Sequence, residues 1–179
     1  FDLRASQRPP GPAAGRGPKI GIKWPNDLWL EGDRKLAGIL IETASFVGTH
    51  RHDMSAPRYV VIGIGINVRP RPGDGMRTAP ACLQELDMAL DAPTALACIL
   101  PALVAEVQAF AQHGFAPLLP RFAQRDLLAG REVNLSDGTR GMAEGVAADG
   151  GFMVRTATGL QAVTSSEISV RPASSPLQA

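Results

Sequence analysis

Tyr59-Val60-Val61-Ile62-Gly63-Ile64-Gly65-Ile66-Asn67-Val68 is the strongest strand signal in the 179-residue chain. Alternate residues of a strand point to opposite faces, so Val60, Ile62, Ile64 and Ile66 form a wall of branched side chains suited to packing on helices. Val61, Gly63, Gly65 and Asn67 fall on the other face, nearly bare of side chains and finished by a carboxamide. Paired glycines inside a strand weaken it, and they mark close approach by a ligand or by another part of the chain. Two readings stand side by side: Asn67 meets a ligand at the strand end, or the glycines admit a bulky neighbour such as Trp24 and Asn67 caps a turn. The string lacks the three-glycine spacing of a dinucleotide fingerprint.

Working outward, Lys19 to Trp24 alternates as a strand, Pro25-Asn26-Asp27 supplies turn chemistry, and Leu28-Trp29-Leu30 returns as a second strand. Glu31-Gly32-Asp33 turns into a third, Lys35 to Phe46. Val47 to Arg58 and Arg69 to Ala79 read as loops. Leu96, Ile99, Leu100, Leu103, Val107 and Phe110 follow helical spacing, with Asp91 as N-cap; Pro101 predicts a kink or a break into two helices. Phe115, Leu118, Leu119 and Phe122 repeat the spacing in a shorter segment ending near Gly130. Beyond it, residues 131–135, 141–147, 152–156, 160–164 and 168–170 read as five short strands. Asp137-Gly138, Asp149-Gly150 and Thr158-Gly159 supply turns between them, and the whole predicts a small closed barrel.

A hydrophobic content of 45% and a net charge of +1 describe a chain able to bury a core, without the charge excess of a nucleic-acid binder. The longest apolar stretch, Ala95 to Ala105, is short for a bilayer and holds Pro101, so no membrane partner is expected. Cys82 and Cys98 have neither metal-ligand nor redox spacing, no secretory signal opens the chain, and a cytoplasmic location is the expectation. Residues 1–18, rich in Pro, Gly, Ala and Arg and starting from Phe1, read as a loop or disordered segment, and residues 173–179 as a tail.

Lys35 beside Arg34 is most simply a solvated surface charge. The small apolar run Leu36 to Ile41 puts it at the mouth of a buried strand, where a cation would attract a carboxylate or phosphate. Strict alternation separates Lys35 from Gly38, so the two share a pocket only if a bulge intervenes or Lys35 precedes the regular strand. Asn26 and Asp27 either satisfy local turn groups or serve a ligand, with Asp27 holding Lys35, a polar neighbour or magnesium. His50, His52 and His113 form no ligand set.

Lys23-Trp24-Pro25-Asn26-Asp27-Leu28, Lys35-Leu36-Ala37-Gly38-Ile39-Leu40 and Gly63-Ile64-Gly65-Ile66-Asn67, in this order, resemble the biotin protein ligases, with the similarity running from Ile20 to Arg171. The resemblance implies an α+β fold: a mixed-sheet catalytic domain of biotin/lipoate ligase type over residues 19–129, its N-terminal part missing, and an SH3-like β-barrel over 130–172. It implies an ATP-dependent ligase that activates biotin as biotinyl-5′-AMP, with magnesium balancing charge. The biotin then passes to a lysine of the biotin carboxyl carrier protein of acetyl-CoA carboxylase. Lys35 matches the essential lysine; Lys35, Gly38, Leu40 and Gly63 match biotin-binding positions. Asn26, Asp27, Ile66, Asn67 and Arg171 match the ATP and adenylate side, and metal ligands are unassigned. A homodimer is left open, and DNA is a partner only if a further N-terminal domain precedes. The family's glycine- and arginine-rich biotin loop has no counterpart before Lys23, Gly15-Arg16-Gly17 being a poor echo. The isolated chain is therefore expected to bind biotin weakly or not at all. Two alternatives remain: a lipoate-type acyl ligase, and a truncated, non-catalytic module that binds the carrier protein.

Overall fold

The computed structural model describes residues 19–45, 58–164 and 170–172. The segments 1–18 and 173–179, most of the loop expected at 47–58, and His50, His52, Ile168 and Ser169 lie outside the described residues. Four antiparallel strands, β1 (Ile20–Lys23), β2 (Asp27–Leu30), β3 (Arg34–Ser45) and β4 (Arg58–Ile66), form a sheet in sequence order. Each connection described is short, as expected from the turn residues. Glu31 (φ 56°) and Gly32 (φ 89°) take the left-handed conformations that reverse β2 into β3. Among the described residues, parallel character is confined to two isolated bridges, Ile22 with Asp126 and Lys35 with Pro80.

Helix α1 (Ala92–His113) begins as expected, the Asp91 carboxylate accepting from the Thr94 amide at 2.9 Å and Pro93 lying in the first turn. It then runs unbroken through Pro101, so the expected division into two helices does not occur. Proline removes one amide donor from the ladder, and the regular turns on either side outweigh that single loss. Continuity also corrects the reading of the apolar run. At 22 residues, with a mean hydropathy of 1.7 over its apolar window, α1 is long and apolar enough to cross a membrane by length and composition, and only 6% of that window is buried. Its inner face, through Ala95, Ile99 and Leu103, meets Ile64, Ile66 and Val68 across an apolar groove. Among the described residues, the branched face of β4 thus meets a helix only at its C-terminal end, and Val60 remains 58% exposed.

The expected helix up to Gly130 is cut short. Residues 116–118 form a 3-10 turn and α2 spans only Leu119–Ala123. Beyond it the chain extends along β1, where Ile22 donates to the Arg125 carbonyl at 2.7 Å and accepts from the Leu127 amide at 2.9 Å. Helix would forfeit both bonds. Gly21 makes this approach feasible, since a β-carbon there would lie 2.4 Å from the Leu127 side chain.

The last strands, β5 (Glu132–Leu135), β6 (Arg140–Val146), β7 (Phe152–Thr156), β8 (Gly159–Val163) and β9 (Val170–Pro172), pair antiparallel in the order β8-β7-β6-β5-β9. Gly138, Gly150 and Gly159 all have positive φ, so the three expected turns form where glycine permits them. Among the described residues the ladder from β8 to β9 does not close on itself, and the final strand, Val170–Pro172, overlaps the one expected at 168–170 at Val170.

The larger core is built mainly from this second sheet, joined by Leu128 ahead of β5 and by Trp24 from the first sheet's region. Trp24, from the β1–β2 turn, is buried among Leu128, Val133, Leu135, Phe152 and Val154. Its ring stacks on Phe152 at 5.1 Å, and its Nε1 donates to the Gly150 carbonyl at 3.2 Å. Trp24 therefore does not lie over the glycines of β4. It joins the two sheets, and the cis Trp24–Pro25 peptide follows it directly. A smaller cluster of Leu30, Leu36 and Ala81 sits beneath the first sheet.

Candidate functional site

Register decides the site. Down β3, Gly38 pairs with Asp27 and Ala37 with Leu28, but Lys35, not Leu36, pairs with Trp29. Leu36 is the extra residue of a bulge, and its side chain is buried beside Leu30 and Ala81. One surplus residue changes the parity of the strand, so Lys35 reaches the face of Gly38. A β-carbon at Gly38 would lie 3.1 Å from Lys35 Nζ and 3.3 Å from Asp27 Oδ1. The bulge that the shared-pocket reading required is present.

The Lys35 backbone is held from several sides. Its amide donates to the Ala79 carbonyl at 2.9 Å, and its carbonyl accepts from the Ala81 amide at 2.9 Å and from Asn67 Nδ2 at 3.1 Å. Asn67 also donates its backbone amide to Leu36 at 3.0 Å and accepts from Leu83. Its carboxamide thus staples the bulge, a role between the two readings offered for it. The 79–86 segment is fixed in turn: the Glu85 carboxylate accepts from the Cys82 amide at 2.9 Å, and Arg34 bridges Glu85 to Glu31. The Arg34 hydrogen bond holds the Glu85 carboxyl below the ordinary carboxylate value.

With its backbone fixed, Lys35 turns its ammonium to Asp27 Oδ1 at 2.6 Å; Asp27 Oδ2 lies 4.0 Å from Lys23 Nζ. The Lys35 side chain is 43% exposed and that of Asp27 is 15% exposed, so the pair stands at the wall of an opening rather than in the core. Asp27 serves Lys35, one of the roles foreseen for it. Asn26 departs from the local-turn reading: its Nδ2 donates to the Ile39 carbonyl at 2.8 Å while its own carbonyl accepts from the Ile39 amide at 2.8 Å. It ties the end of the turn to β3.

Gly65 pairs with Gly38, and Gly63 with Leu40, so Asp27, Gly38 and Gly65 make a row across three strands. Over Gly65 the nearest atom to a β-carbon would be the Gly38 carbonyl at 4.0 Å, and over Gly63 the Leu40 carbonyl at 3.7 Å. Among the described residues, no side-chain atom lies within 4 Å of a β-carbon at Gly65. A cavity of about 480 Å³ stands over it, bordered by Lys35, Gly38, Gly65, Asn67 and Arg71. Leu40 lies on the same face and is 61% exposed. Ile66 borders both this cavity and the groove against α1. The backbone of Arg171 pairs with Asn134 in the second sheet, and its side chain lies outside the described residues.

One border of this cavity was not foreseen from the sequence. Arg71, Met76 and Thr78 border the cavity from the 69–79 stretch read only as a loop, and Pro80 follows just beyond it. The signal available was basic residues alternating with proline directly after Asn67.

The junction with the second sheet carries one buried carboxyl. Asp126 Oδ1 accepts from the Leu128 amide at 2.8 Å, while its buried Oδ2 finds no hydrogen-bond partner among the described residues. Burial raises this carboxyl above its ordinary value, against the lowering by the Leu128 and Ala129 amides.

Comparison with known proteins places this arrangement. The family model described as biotin protein ligase C terminal domain matches residues 129–171. The chain is 34% identical over 160 residues to the bifunctional ligase/repressor BirA of Escherichia coli (strain K12), covering 87% of this chain and 47% of that protein. It is 30% identical over 168 residues to the biotin--[acetyl-CoA-carboxylase] ligase of Paracoccus denitrificans, covering 88% and 66%. The apo biotin protein ligase of Aquifex aeolicus superposes with a TM-score of 0.71 at 25% identity, over 86% of this chain and 66% of that one. The same enzyme solved with biotin and ATP gives 0.68 at 24%, over 86% and 62%. The chain thus spans about half the length of the ligase/repressors and less than two thirds of these other relatives. By sequence along nearly its whole length, and by an α+β fold of two antiparallel sheets with the last of them in the matched C-terminal region, the chain belongs to the biotin protein ligase family.

Proposed function

We propose that the protein containing this chain activates biotin with ATP and transfers it to a lysine of a biotin carboxyl carrier protein. The observation that carries the reading is the Lys35–Asp27 pair, brought by the Leu36 bulge over the bare Gly38–Gly65 floor. An unpartnered ammonium would be drawn to solvent. Asp27 restrains it at the cavity wall, where it can meet a carboxylate oxygen and the charge that grows as that oxygen attacks phosphorus.

In the first step a biotin carboxylate oxygen bonds the α-phosphorus of ATP, the bond to the bridging oxygen breaks, and pyrophosphate leaves. In the second, a carrier lysine amine attacks the acyl carbon, the acyl–oxygen bond breaks, AMP leaves and the amine loses a proton. Lys35 lowers the barrier of the first step by offsetting negative charge. Gly38, at the cavity, and Gly63 and Leu40, further along the same sheet face and outside the cavity lining, are assigned to the acid in this proposal, and Asn67 keeps Lys35 in place. Arg171 and Ile66 belong to the nucleotide side of the proposal. For magnesium the residues present fit only in part. Among the described residues no three His, Cys, Asp or Glu side chains converge, and the Asp27 oxygens already face lysines. A magnesium ion would be held mainly by the nucleotide's own phosphates, where it would neutralise their charge.

The test is biotin-dependent exchange of labelled pyrophosphate into ATP by the full-length protein, with lipoate offered in parallel. Exchange with biotin alone is expected. Exchange with lipoate instead would favour a lipoate-type ligase. Carrier binding without exchange would favour a non-catalytic module.

A further inference from the structure

The cavity holds two cations in different electrical states. Lys35 is paired with a carboxylate at 2.6 Å. Arg71, which also borders the cavity, has only neutral partners, Asn67 Oδ1 and Met76 Sδ, each at 3.4 Å, and makes no ion pair among the described residues. Arg69, two residues earlier, is differently engaged: the Asp91 carboxyl is held low chiefly by the Thr94 hydrogen bond and in the smallest part by Arg69. Asn67 therefore does two things at once, its Nδ2 pinning the Lys35 carbonyl and its Oδ1 positioning the Arg71 guanidinium. The contact to Asn67 Oδ1 is long and the Met76 thioether is a weak acceptor, so the guanidinium can exchange both for better acceptors at little cost.

We propose that Arg71 is the residue that grips the departing pyrophosphate end of the nucleotide, leaving the Lys35–Asp27 pair to the reacting carboxylate. This rests on the adenylating function above and assigns the rim of that same site. A guanidinium takes two phosphate oxygens side by side, which an ammonium does not, and the exposed rim is where a leaving group must depart. Lys35, held by Asp27 beside Gly38, is the cation assigned to the forming bond. Asn67 links the two, so nucleotide seating and lysine placement share one side chain.

The experiment uses the full-length protein with Arg71→Ala, Arg71→Gln and Arg71→Lys. In biotin-dependent exchange, the KM values for ATP and pyrophosphate should rise about tenfold or more in the Ala and Gln forms, and the KM for biotin much less. Lys should recover part of the loss. Polyphosphate KM values within twofold of the parent, or a biotin KM rising in step with that for ATP, would overturn the assignment. The Gln form keeps the length and hydrogen bonding of the side chain should Ala disturb the loop. Titration of ATP and of inorganic pyrophosphate by calorimetry, without biotin, separates this idea from the wider one. Binding weakened about tenfold in the Gln form supports Arg71 even if biotin exchange is absent. Equal binding in both forms, or none to the parent, removes it.

Discussion

Gly38 offers a direct way to move the site without harming the fold. Its backbone does not occupy the left-handed region, so alanine or valine fits the local conformation. In the unfolded chain glycine has more freedom to lose, and Gly→Ala at a compatible position stabilises by about 0.4–1 kcal/mol. Against this, the new β-carbon would stand 3.1 Å from Lys35 Nζ and 3.3 Å from both Asp27 Oδ1 and Lys35 Cε. These are ends of side chains, so they yield by roughly a few tenths of an ångström rather than forcing the sheet apart. Loosening a partly exposed ion pair costs under about 1 kcal/mol, and the two terms nearly cancel. Placement of the ammonium does not cancel, because a misplacement of about 1 Å can cost about 10²-fold in rate. We expect Gly38→Ala to lose about tenfold in pyrophosphate exchange, and Gly38→Val about a hundredfold, with melting temperatures within about 5 °C of the parent. Exchange within twofold for the valine form would refute the reasoning, because the ammonium would then need no fixed seat. A collapse in melting temperature would show that Gly38 serves the sheet instead.

Lys35→Ala should cost about 10²–10³ in exchange, and its stability cost should be on the order of 1 kcal/mol, since the mostly buried Asp27 loses its 2.6 Å partner; Lys35→Arg should restore little, as read by exchange and thermal melts. Trp24→Ala should destabilise by about 3–5 kcal/mol and Trp24→Phe by about 1 kcal/mol, the latter for the lost bond to Gly150, both by urea titration. Asp126→Asn should raise the melting temperature near neutral pH. A carboxyl whose folded value is raised binds its proton more readily when folded, so its burden on stability appears as pH climbs from the ordinary carboxylate value through the raised one. The advantage of the Asn form should therefore shrink in acid, and a difference between the two melts that stays constant with pH would count against it.

Strands and turns were legible because their signals are local. Alternation in Val60–Asn67 and glycine after Asp137, Asp149 and Thr158 need no knowledge of the rest of the chain. The Leu36 bulge was legible only as a condition, since it exists to reconcile Lys35 with Gly38 and the sequence alone does not say that they meet. Trp24 was misplaced because alternation says which side a residue leaves from, not which core it enters. Helix spacing carried past Ala123 because it takes no account of Ile22, a strand residue far upstream that captures the backbone of Arg125 and Leu127. Arg71 escaped notice because a loop has no period to set a side chain against.

The seat of Trp24 gives the molecule a built-in optical reporter. The chain has two tryptophans, both within the first sheet's sequence, yet one indole resides in the core of the second beside Phe152. Trp29 stays in the first sheet with Lys23 Nζ 5.6 Å from its ring centre. If the sheets parted while each kept its own strands, the emission of Trp24 would shift toward the red as water reached it, and that of Trp29 would hold. A Trp29→Phe form would then leave a single tryptophan that reads the seam between the sheets, telling separation of the two halves from unravelling of either.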